Sequence, residues 1–253
     1  MQRLDQLLQQ RGVFPTRERA RRAIMAGIVE VDGSRIDKPG RPVRANARVV
    51  VAGETEPFVS RGGRKLAAAL DHFEIDPKGW VCADVGASTG GFTDCLLQRG
   101  ARRVFAIDVG YGQLDYGLRN DHRVVVMERV NARSLGADAL DEVCDLATFD
   151  LSFISLTKVV PALIGHVRPR GLLLTLIKPQ FEAGRRDVGR GGIVRDDSVR
   201  TAAIERTAAG LEELGLERIG LFDCPVHGAK GNREAFALLR KESRPGGEEE
   251  LCQ

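Results

Sequence analysis

The sequence lacks long apolar segments and is poor in aromatic residues. No uninterrupted apolar run approaches the roughly 20 residues that a membrane-spanning helix needs, and the opening MQRLDQLLQQRG contains no apolar signal core. We therefore expect neither a membrane span nor an export signal. Only 5% of the 253 residues are aromatic, which leaves little material for the stacking platforms of single-strand nucleic-acid binders.

Cysteines are also few and scattered. They are Cys82, Cys95, Cys144, Cys224 and Cys252. Their number is odd, and they form neither a CxxC pair nor a group with histidine, which argues against a zinc site or a disulfide framework. We expect free thiols in the core of a cytoplasmic protein, and no metal site.

Charge is present in quantity but is unevenly distributed. The whole chain carries +3, but residues 1–65 contain fourteen Lys and Arg against seven Asp and Glu, a balance of +7. The remainder carries twenty-four against twenty-eight, a balance of −4. A basic first part on an acidic body predicts a nucleic-acid-binding module joined to a second domain. A solvated charged surface is the alternative explanation.

The first part of the chain predicts two short helices and a small sheet. RLDQLLQQRG places its leucines on one helical face, and TRERARRAIMAG begins at the N-cap residue Thr16. IVEVDG alternates apolar and polar residues before the Asp32-Gly33 turn, and ARVVVAG adds another strand. We predict a small α+β domain over residues 1–58, followed by a linker at 59–64.

After Trp80 the pattern changes to strands that alternate with helices. Seven segments read as strands: WVCADVG, RVFAIDVG, RVVVME, CDLATFDL, LLLTLIKP, ERIGLFDCPV and EAFALLRK. Such alternation predicts an α/β fold, with a mainly parallel sheet covered on both faces. We place this domain at residues 65–243 and a flexible polar tail at 244–253.

A glycine-rich turn follows the first of these strands. In ADVGASTGGFTDCLL, Gly86, Gly90 and Gly91 let the backbone approach a ligand while the following helix points its amides at it. The turn lacks the G-x-G-x-x-G pattern of dinucleotide sites, and Asp84 before it suits a cationic ligand terminus. Asp108 ends the next strand, where an acid commonly binds ribose hydroxyls, although it could simply cap a turn. Together these residues predict an adenosine-containing ligand.

Charged residues also follow other strands at the same edge of the sheet. Asp150 ends the fourth strand, and Lys178 ends the buried fifth strand, where an ammonium group needs partners. Glu234 begins the last strand, which we expect to be antiparallel, and Lys65 begins the helix before the sheet. Because strand ends in such a sheet line one crevice, the four side chains can meet and tune a lysine to orient or deprotonate a hydroxyl. Separate surface ion pairs are the alternative.

In these segments the chain resembles the TlyA family of RNA methyltransferases, also called haemolysin A, over essentially its whole length. RLDQLL…TRERARRAIMAGIVEVDG is similar to the RNA-binding module of a ribosomal small-subunit protein and of pseudouridine synthases. DVGASTGGFTD, SRGGRKL, DLSFISL, KPQFE and GNREAF match blocks of FtsJ-like 2′-O-methyltransferases, in order. The resemblance implies a Rossmann-like class I methyltransferase fold with seven strands, preceded by a small α+β RNA-binding domain.

The resemblance also implies an activity and a set of site residues. The activity is S-adenosylmethionine-dependent methylation of a ribose 2′-hydroxyl of ribosomal RNA or ribosomal subunits, with cytidine as the target in characterised relatives. We expect a monomer and no membrane partner. The implied catalytic residues are Lys65, Asp150, Lys178 and Glu234. The implied cofactor-binding residues are Asp84, Gly86, Ala87, Ser88, Gly90, Phe92, Asp108 and Asp150. The implied RNA-binding residues are Arg3, Arg17, Arg19, Lys38, Arg61 and Arg64.

Three other classes of function fit parts of the sequence. A non-catalytic RNA- or ribosome-binding protein is disfavoured because all four implied catalytic residues are present. The glycine turn disfavours an NAD-dependent oxidoreductase, and the lack of a spanning segment or a long amphipathic helix disfavours a membrane-active haemolysin. The low aromatic content favours duplex or folded RNA as the partner.

Overall fold

The chain forms two compact units, Met1–Val59 and Ser60–Gln253, in a computed structural model. The structure describes residues 1–14, 16–52, 57–184, 186–189, 191–228 and 231–242. The predicted tail at 244–253 lies outside the described residues. Each unit contains a hydrophobic core of its own.

The first unit combines two helices with short antiparallel strands. Its elements are β1 (Gln2–Arg3), α1 (Leu4–Gln10), α2 (Arg17–Met25), β2 (Val29–Val31), β3 (Ser34–Arg35), β4 (Pro42–Val43) and β5 (Val49–Val51). Strand β2 pairs with β3 and β5, while β1 pairs with β4. The Thr16 side chain caps α2 by accepting from the Arg19 amide. Asp32 and Gly33 form the β2–β3 turn at φ 51° and 79°, so the predicted α+β arrangement is confirmed.

The core of the first unit comes from both helices and the strands. Leu4, Leu7 and Leu8 point inward because residues three or four apart share one helical face. They pack with Ile24 of α2 and with alternate residues of β2. Full burial of one such side chain contributes about 1.5–3 kcal/mol, so this cluster is the main stabilising feature of the unit.

The second unit contains a seven-stranded sheet with helices. Its strands are β6 (Val81–Val85), β7 (Arg103–Asp108), β8 (Val124–Glu128), β9 (Cys144–Phe149), β10 (Val167–Ile177), β11 (Leu216–Asp223) and β12 (Ala235–Lys241). Its helices are α3 (Arg61–His72), α4 (Gly91–Gln98), α5 (Tyr116–Arg119), α6 (Val160–Ile164), α7 (Pro179–Glu182) and α8 (Asp197–Glu212). The strand order is β11-β12-β10-β9-β6-β7-β8, and β12 runs antiparallel to both of its neighbours. The predicted sheet with an antiparallel last strand is confirmed.

The centre of this sheet is buried on both faces. Every residue of β6 is buried, as are nearly all of β9 and the second half of β10, which explains their near-continuous apolar sequences. The order of strands reverses between β6 and β9. In doubly wound sheets such a reversal opens a crevice at the carboxyl ends of the strands, where ligands bind.

Helix α3 begins earlier than the sequence predicts. Residues 61–64, predicted as part of a linker at 59–64, form its first turn, and the Ser60 side chain caps that turn. Two glycines in this turn disfavour a helix by intrinsic propensity. However, a Cβ atom placed on Gly91 would lie 2.9 Å from the backbone nitrogen of Gly63. Close packing against α4 therefore outweighs the low helix propensity of these glycines.

The described cysteines are buried free thiols, as predicted. They are Cys82, Cys95, Cys144 and Cys224, while Cys252 lies outside the described residues. Burial raises the pKa of the Cys95 and Cys144 thiols to about 12. These thiols therefore stay protonated at neutral pH and pack as small apolar groups.

A candidate spanning helix is missing from the part of the chain that the structure describes. None of its helices combines the length and the apolar character that crossing a membrane requires.

Candidate active site

A cleft of about 540 Å³ opens beside the reversal of strand order in the second unit. Six segments line it: the start of α3, the end of β6 with the glycine turn after it, the residues that follow β9, those that follow β10, the glycine pair at 191–192, and the residues that precede β12. All four predicted catalytic residues are among its lining. The cleft therefore lies at the edge where the sequence predicted a site.

The first of two ion pairs in this cleft joins Lys65 to Glu234. Lys65 Nζ donates to Glu234 Oε2 at 2.5 Å, and the two residues are only 8% and 2% exposed. Helix α3 positions the lysine, while the carboxylate immediately precedes β12. Gln180 Nε2 donates to the other Glu234 oxygen at 3.4 Å. Because an isolated buried charge is costly, each partner stabilises the charged form of the other.

The second ion pair joins Lys178 to Asp150. Lys178 Nζ lies 2.6 Å from Asp150 Oδ1 and donates to Ser152 Oγ at 3.1 Å. The second half of strand β10 is buried up to Ile177 and delivers the ammonium group to the edge of the sheet. The sequence prediction that the four residues meet agrees with this geometry, in which they form two pairs with no net charge.

Asp84 lies fully buried at the end of β6 and lines the cleft. Its Oδ2 accepts from the Thr93 amide at 2.9 Å and from the Thr93 hydroxyl at 2.7 Å. Among the described residues its Oδ1 has no hydrogen-bond partner. Burial is the largest cause that raises the pKa of this carboxyl to about 7; the Asp150 carboxylate adds to the rise, and the Thr93 hydrogen bonds oppose it. Asp84 thus offers an unsatisfied acceptor to a cationic group in the cleft.

The glycine turn connects β6 to α4 in close contact with the end of β9. Gly86 has φ 88°, and a Cβ atom there would lie 2.6 Å from the Asp150 carbonyl oxygen. Ser88 also has a positive φ, at 49°, and Gly90 at φ 94° caps α4. Ala87 and Ser88 line the cleft, as does Phe92 in the first turn of α4. Gly90 does not line it, and a Cβ atom added there would clash with the side chain of Leu118.

Asp108 lines a smaller neighbouring pocket and not the cleft itself. Its Oδ2 accepts from the Ser88 amide at 2.7 Å and its Oδ1 from the Gly110 amide at 2.6 Å. Ala87 and Ser88 line both cavities. An elongated ligand lying along the glycine turn would therefore reach from Asp84 to Asp108.

A buried asparagine, which no predicted site included, shapes the rim of the cleft. Asn232 donates from Nδ2 to the Gly192 carbonyl at 2.8 Å and accepts at Oδ1 from the Val194 amide at 3.1 Å. Gly191 and Gly192 line the cleft. The only signal in the sequence was the position of this residue within GNREAF, two residues before Glu234.

A pair of phenylalanines at the cleft was missed as well. Phe153 is 89% exposed at φ 65°, and its ring centroid lies 4.9 Å from that of Phe181. Phe181 in turn lies 6.0 Å from Lys178 Nζ. The low aromatic content of the chain therefore does not exclude a stacking surface, because the few rings are placed where one would be useful.

The predicted RNA-binding residues are divided between the two units. In the first unit, Arg3 and Arg17 contact one common carboxylate, Arg19 is half-buried and Lys38 is exposed. In the second unit, Arg61 and Arg64 are exposed on the first turn of α3, and Arg61 lines the cleft.

Comparisons with known proteins agree with this architecture. A family model described as FtsJ-like methyltransferase matches residues 58–241, and an S4 domain model matches residues 2–49. The chain is 45% identical to the 16S/23S rRNA (cytidine-2′-O)-methyltransferase TlyA of Mycobacterium tuberculosis, over 95% of this chain and 90% of that one.

Solved structures give the same result. A hemolysin candidate from Streptococcus thermophilus is 41% identical with a TM-score of 0.74, covering 97% of this chain and 90% of that one. N-methyltransferase NodS from Bradyrhizobium japonicum WM9, in complex with S-adenosyl-L-homocysteine, shares the fold alone, with 15% identity and a TM-score of 0.51 over 72% of this chain and 86% of that one. The chain belongs to the TlyA family of FtsJ-like methyltransferases, as its sequence motifs indicated.

Proposed function

We propose that the protein methylates a ribose 2′-hydroxyl, at a cytidine of ribosomal RNA, with S-adenosylmethionine as the methyl donor. The observation that carries this proposal is the pair of ion pairs, Lys65–Glu234 and Lys178–Asp150, in one cleft beside the glycine turn. The activity in the name of the Mycobacterium tuberculosis relative supports it, as does the S4 domain match of the first unit.

The residues of the cleft fit such a cofactor. The free Oδ1 of Asp84 suits the ammonium end of an amino acid, and Asp108 lies one pocket further along the turn, where ribose hydroxyls would reach it. When bound, the cofactor supplies an electrophilic methyl group on a sulfonium. The proposed binding residues are Asp84, Gly86, Ala87, Ser88, Gly90, Phe92, Asp108 and Asp150.

The ion pairs would align and activate the hydroxyl. Lys178, held by Asp150 at 2.6 Å, would donate to the hydroxyl oxygen and hold it in line with the methyl group. To act as the base it would first release its own proton to solvent and then take the hydroxyl proton, and Asp150 would stabilise the ammonium that results. Lys65 and Glu234 would orient the same region through their own buried pair. Alignment of reacting groups can contribute about 7–11 kcal/mol in favourable cases, so positioning is the main task of the cleft.

Basic side chains and the exposed ring of Phe153 would hold the substrate RNA. Arginine and lysine side chains contact phosphates and fix the register of an RNA. Stacking of a base on an aromatic ring such as Phe153 contributes about 1–3 kcal/mol. The proposed RNA-binding residues are Arg3, Arg17, Arg19, Lys38, Arg61 and Arg64.

We expect Lys178→Ala to lose methyl transfer while cofactor binding is retained. General base and orienting groups contribute about 10²–10⁴-fold to rates, so the rate should fall at least 100-fold. Tritiated methyl transfer to ribosomes, separate subunits and naked ribosomal RNA measures activity and, with site mapping, identifies the nucleotide. Calorimetry measures cofactor affinity. Lys158→Ala, which removes an exposed lysine, is the matched control and should stay active.

Two results would count against the proposal. Normal turnover in Lys178→Ala would remove this lysine from the mechanism. A wild-type protein that binds the cofactor but labels none of the three RNA substrates would overturn the assignment to ribosomal RNA.

A further inference from the structure

Two arginines of the first unit converge on one buried carboxylate. Asp5 is 0% exposed. Arg3 donates to it from Nε and from Nη2, each at 3.0 Å, and Arg17 donates from Nε at 2.9 Å. The arginine side chains remain 46% and 42% exposed. Their guanidinium groups are thus anchored on the protein side and open toward solvent.

The surrounding backbone holds this cluster in place. The Asp5 amide donates to the Pro39 carbonyl at 3.1 Å, and the Arg41 amide donates to the Lys38 carbonyl at 3.0 Å. A Cβ atom on Gly40 would lie 3.1 Å from Arg3 Nη1. The turn that carries Lys38 therefore packs directly against Arg3, which places a third predicted RNA contact beside the two arginines.

Asp5 is ionised in this setting. Burial alone would raise its pKa, but the hydrogen bonds from Arg3 and Arg17 outweigh burial and hold the pKa below its ordinary value. Two guanidinium groups and one carboxylate leave a net positive charge. Among the described residues, Arg3 Nη1 and both terminal nitrogens of Arg17 donate no hydrogen bond, so donors remain for an anion.

We propose that Asp5 is a positioning residue for RNA, which fixes Arg3 and Arg17 as a single site for a backbone phosphate. The inference rests on the proposed function, since it assumes that this unit binds ribosomal RNA. A guanidinium whose orientation is already set loses less freedom when it binds a phosphate. Asp5 fixes the orientation of both guanidinium groups, although its own negative charge repels the phosphate.

The test is the change Asp5→Asn, because the loss of charge and the loss of positioning change RNA affinity in opposite directions. Removing an acid makes the unit more basic, which by itself would tighten RNA binding. Positioning predicts a weaker complex, with Kd for ribosomal RNA raised about tenfold and the slope of log Kd against log salt reduced by about 0.9, one phosphate contact. KM for RNA should rise while kcat and cofactor affinity stay unchanged.

Glu18→Gln is the matched control, since it removes the same charge from the same unit. Glu18 Oε2 lies 3.8 Å from Arg21 Nε, whereas the hydrogen bonds from Arg3 and Arg17 go to Asp5. We expect this variant to bind RNA as tightly as the wild type or more tightly. Weakening equal to that of Asp5→Asn would mean that loss of any acid has this effect, and would overturn the inference.

A variant without the two arginines shows whether Asp5 acts by positioning them or by stabilising the fold of the unit. In Arg3→Ala/Arg17→Ala, measured at low salt where residual binding persists, adding Asp5→Asn should cause no further loss of affinity. A further loss there would assign Asp5 to the stability of the unit and overturn the inference. A wild-type protein that fails to bind ribosomal RNA would instead defeat the proposed function, whereas tight binding by Asp5→Asn defeats this inference alone.

Discussion

The buried carboxyl of Asp84 links the stability of the fold to pH. Its pKa is raised from 3.8 to about 7 in the folded protein, so the unfolded chain releases the proton at lower pH. The contribution of Asp84 to the free energy of unfolding is therefore largest below about pH 4. It falls as the pH rises from about 4 to 7, and it stays lost above that range. At about 1.36 kcal/mol per pKa unit the full change is about 4 kcal/mol.

We expect Asp84→Asn to stabilise the protein at pH 8 and to change it much less at pH 5. The amide oxygen can still accept both hydrogen bonds from Thr93, and the NH₂ group replaces the oxygen that lacks a partner. The gain should be about 1–3 kcal/mol, below the full 4 because the new NH₂ is itself unsatisfied. Denaturant unfolding at the two pH values measures it.

The control for this change is Asp71→Asn, which removes an exposed carboxylate. The hydrogen bond from Arg99 lowers the pKa of Asp71, so its loss should slightly destabilise the protein at pH 8. A destabilised Asp84→Asn at pH 8 would show that the carboxylate has a compensating partner in the folded state.

Residues at strand ends were predictable from the sequence, whereas pairings between distant side chains were not. Lys178 stood out because a buried strand ended in an ammonium group. Asp5 looked like an ordinary acid in the first turn of a helix, and only the fold brings Arg17 to it. Asn232 gave almost no signal, because its two partners are backbone groups of a turn about 40 residues away.

At the scale of elements, the turn at residues 191–194 depends on one side chain for its position. The Gly189 amide donates to the Ile193 carbonyl at 3.0 Å, which closes the turn. Gly191 and Gly192, with φ of 83° and 76°, make up its tip. Asn232 anchors the turn to the segment before β12, next to Glu234.

We expect Asn232→Ala to loosen this turn and slow methyl transfer. Two lost hydrogen bonds to backbone groups, one buried and one half-buried, should lower the free energy of unfolding by about 1–3 kcal/mol. Hydrogen–deuterium exchange of residues 191–194 should increase, with a fall in kcat of about tenfold. Asn131→Ala, which removes an exposed side-chain cap, is the control. Unchanged exchange at 191–194 would contradict the anchoring role.

The elements themselves were largely predictable, and the exception is informative. All seven strands of the large sheet were predicted, and the central ones β6, β9 and β10 stood out because buried parallel strands give near-continuous apolar runs. The start of α3 was misplaced because its glycines argue for a linker when read locally. Its helical state depends on contact with Gly91, a residue that is distant in sequence.

At the scale of the whole molecule, charge separates two tasks. Residues 1–65 carry +7 and the remainder −4, while the four ionised groups of the cleft cancel. Affinity for a polyanion should therefore depend on the basic part of the chain, and affinity for the cofactor should depend on the cleft.

We expect salt to weaken RNA binding and to leave cofactor binding nearly unchanged. Two or more phosphate contacts predict at least about a tenfold rise in Kd for ribosomal RNA between 50 and 200 mM salt. Cofactor Kd should change by less than about twofold, because enclosed ion pairs are weakly screened. Fluorescence anisotropy and calorimetry measure the two affinities. A flat salt response would contradict phosphate contacts by the arginines.

The tight contact between Gly91 and the first turn of α3 matters for anyone who re-engineers this enzyme. A methyl group added at Gly91 would push helix α3, which carries Lys65, away from the glycine turn. It would therefore displace residues on two sides of the cleft at once. Arg61, on the same turn, is exposed and lines the cleft. Attempts to redirect the enzyme to another RNA can change Arg61, whereas Gly91 has to stay a glycine.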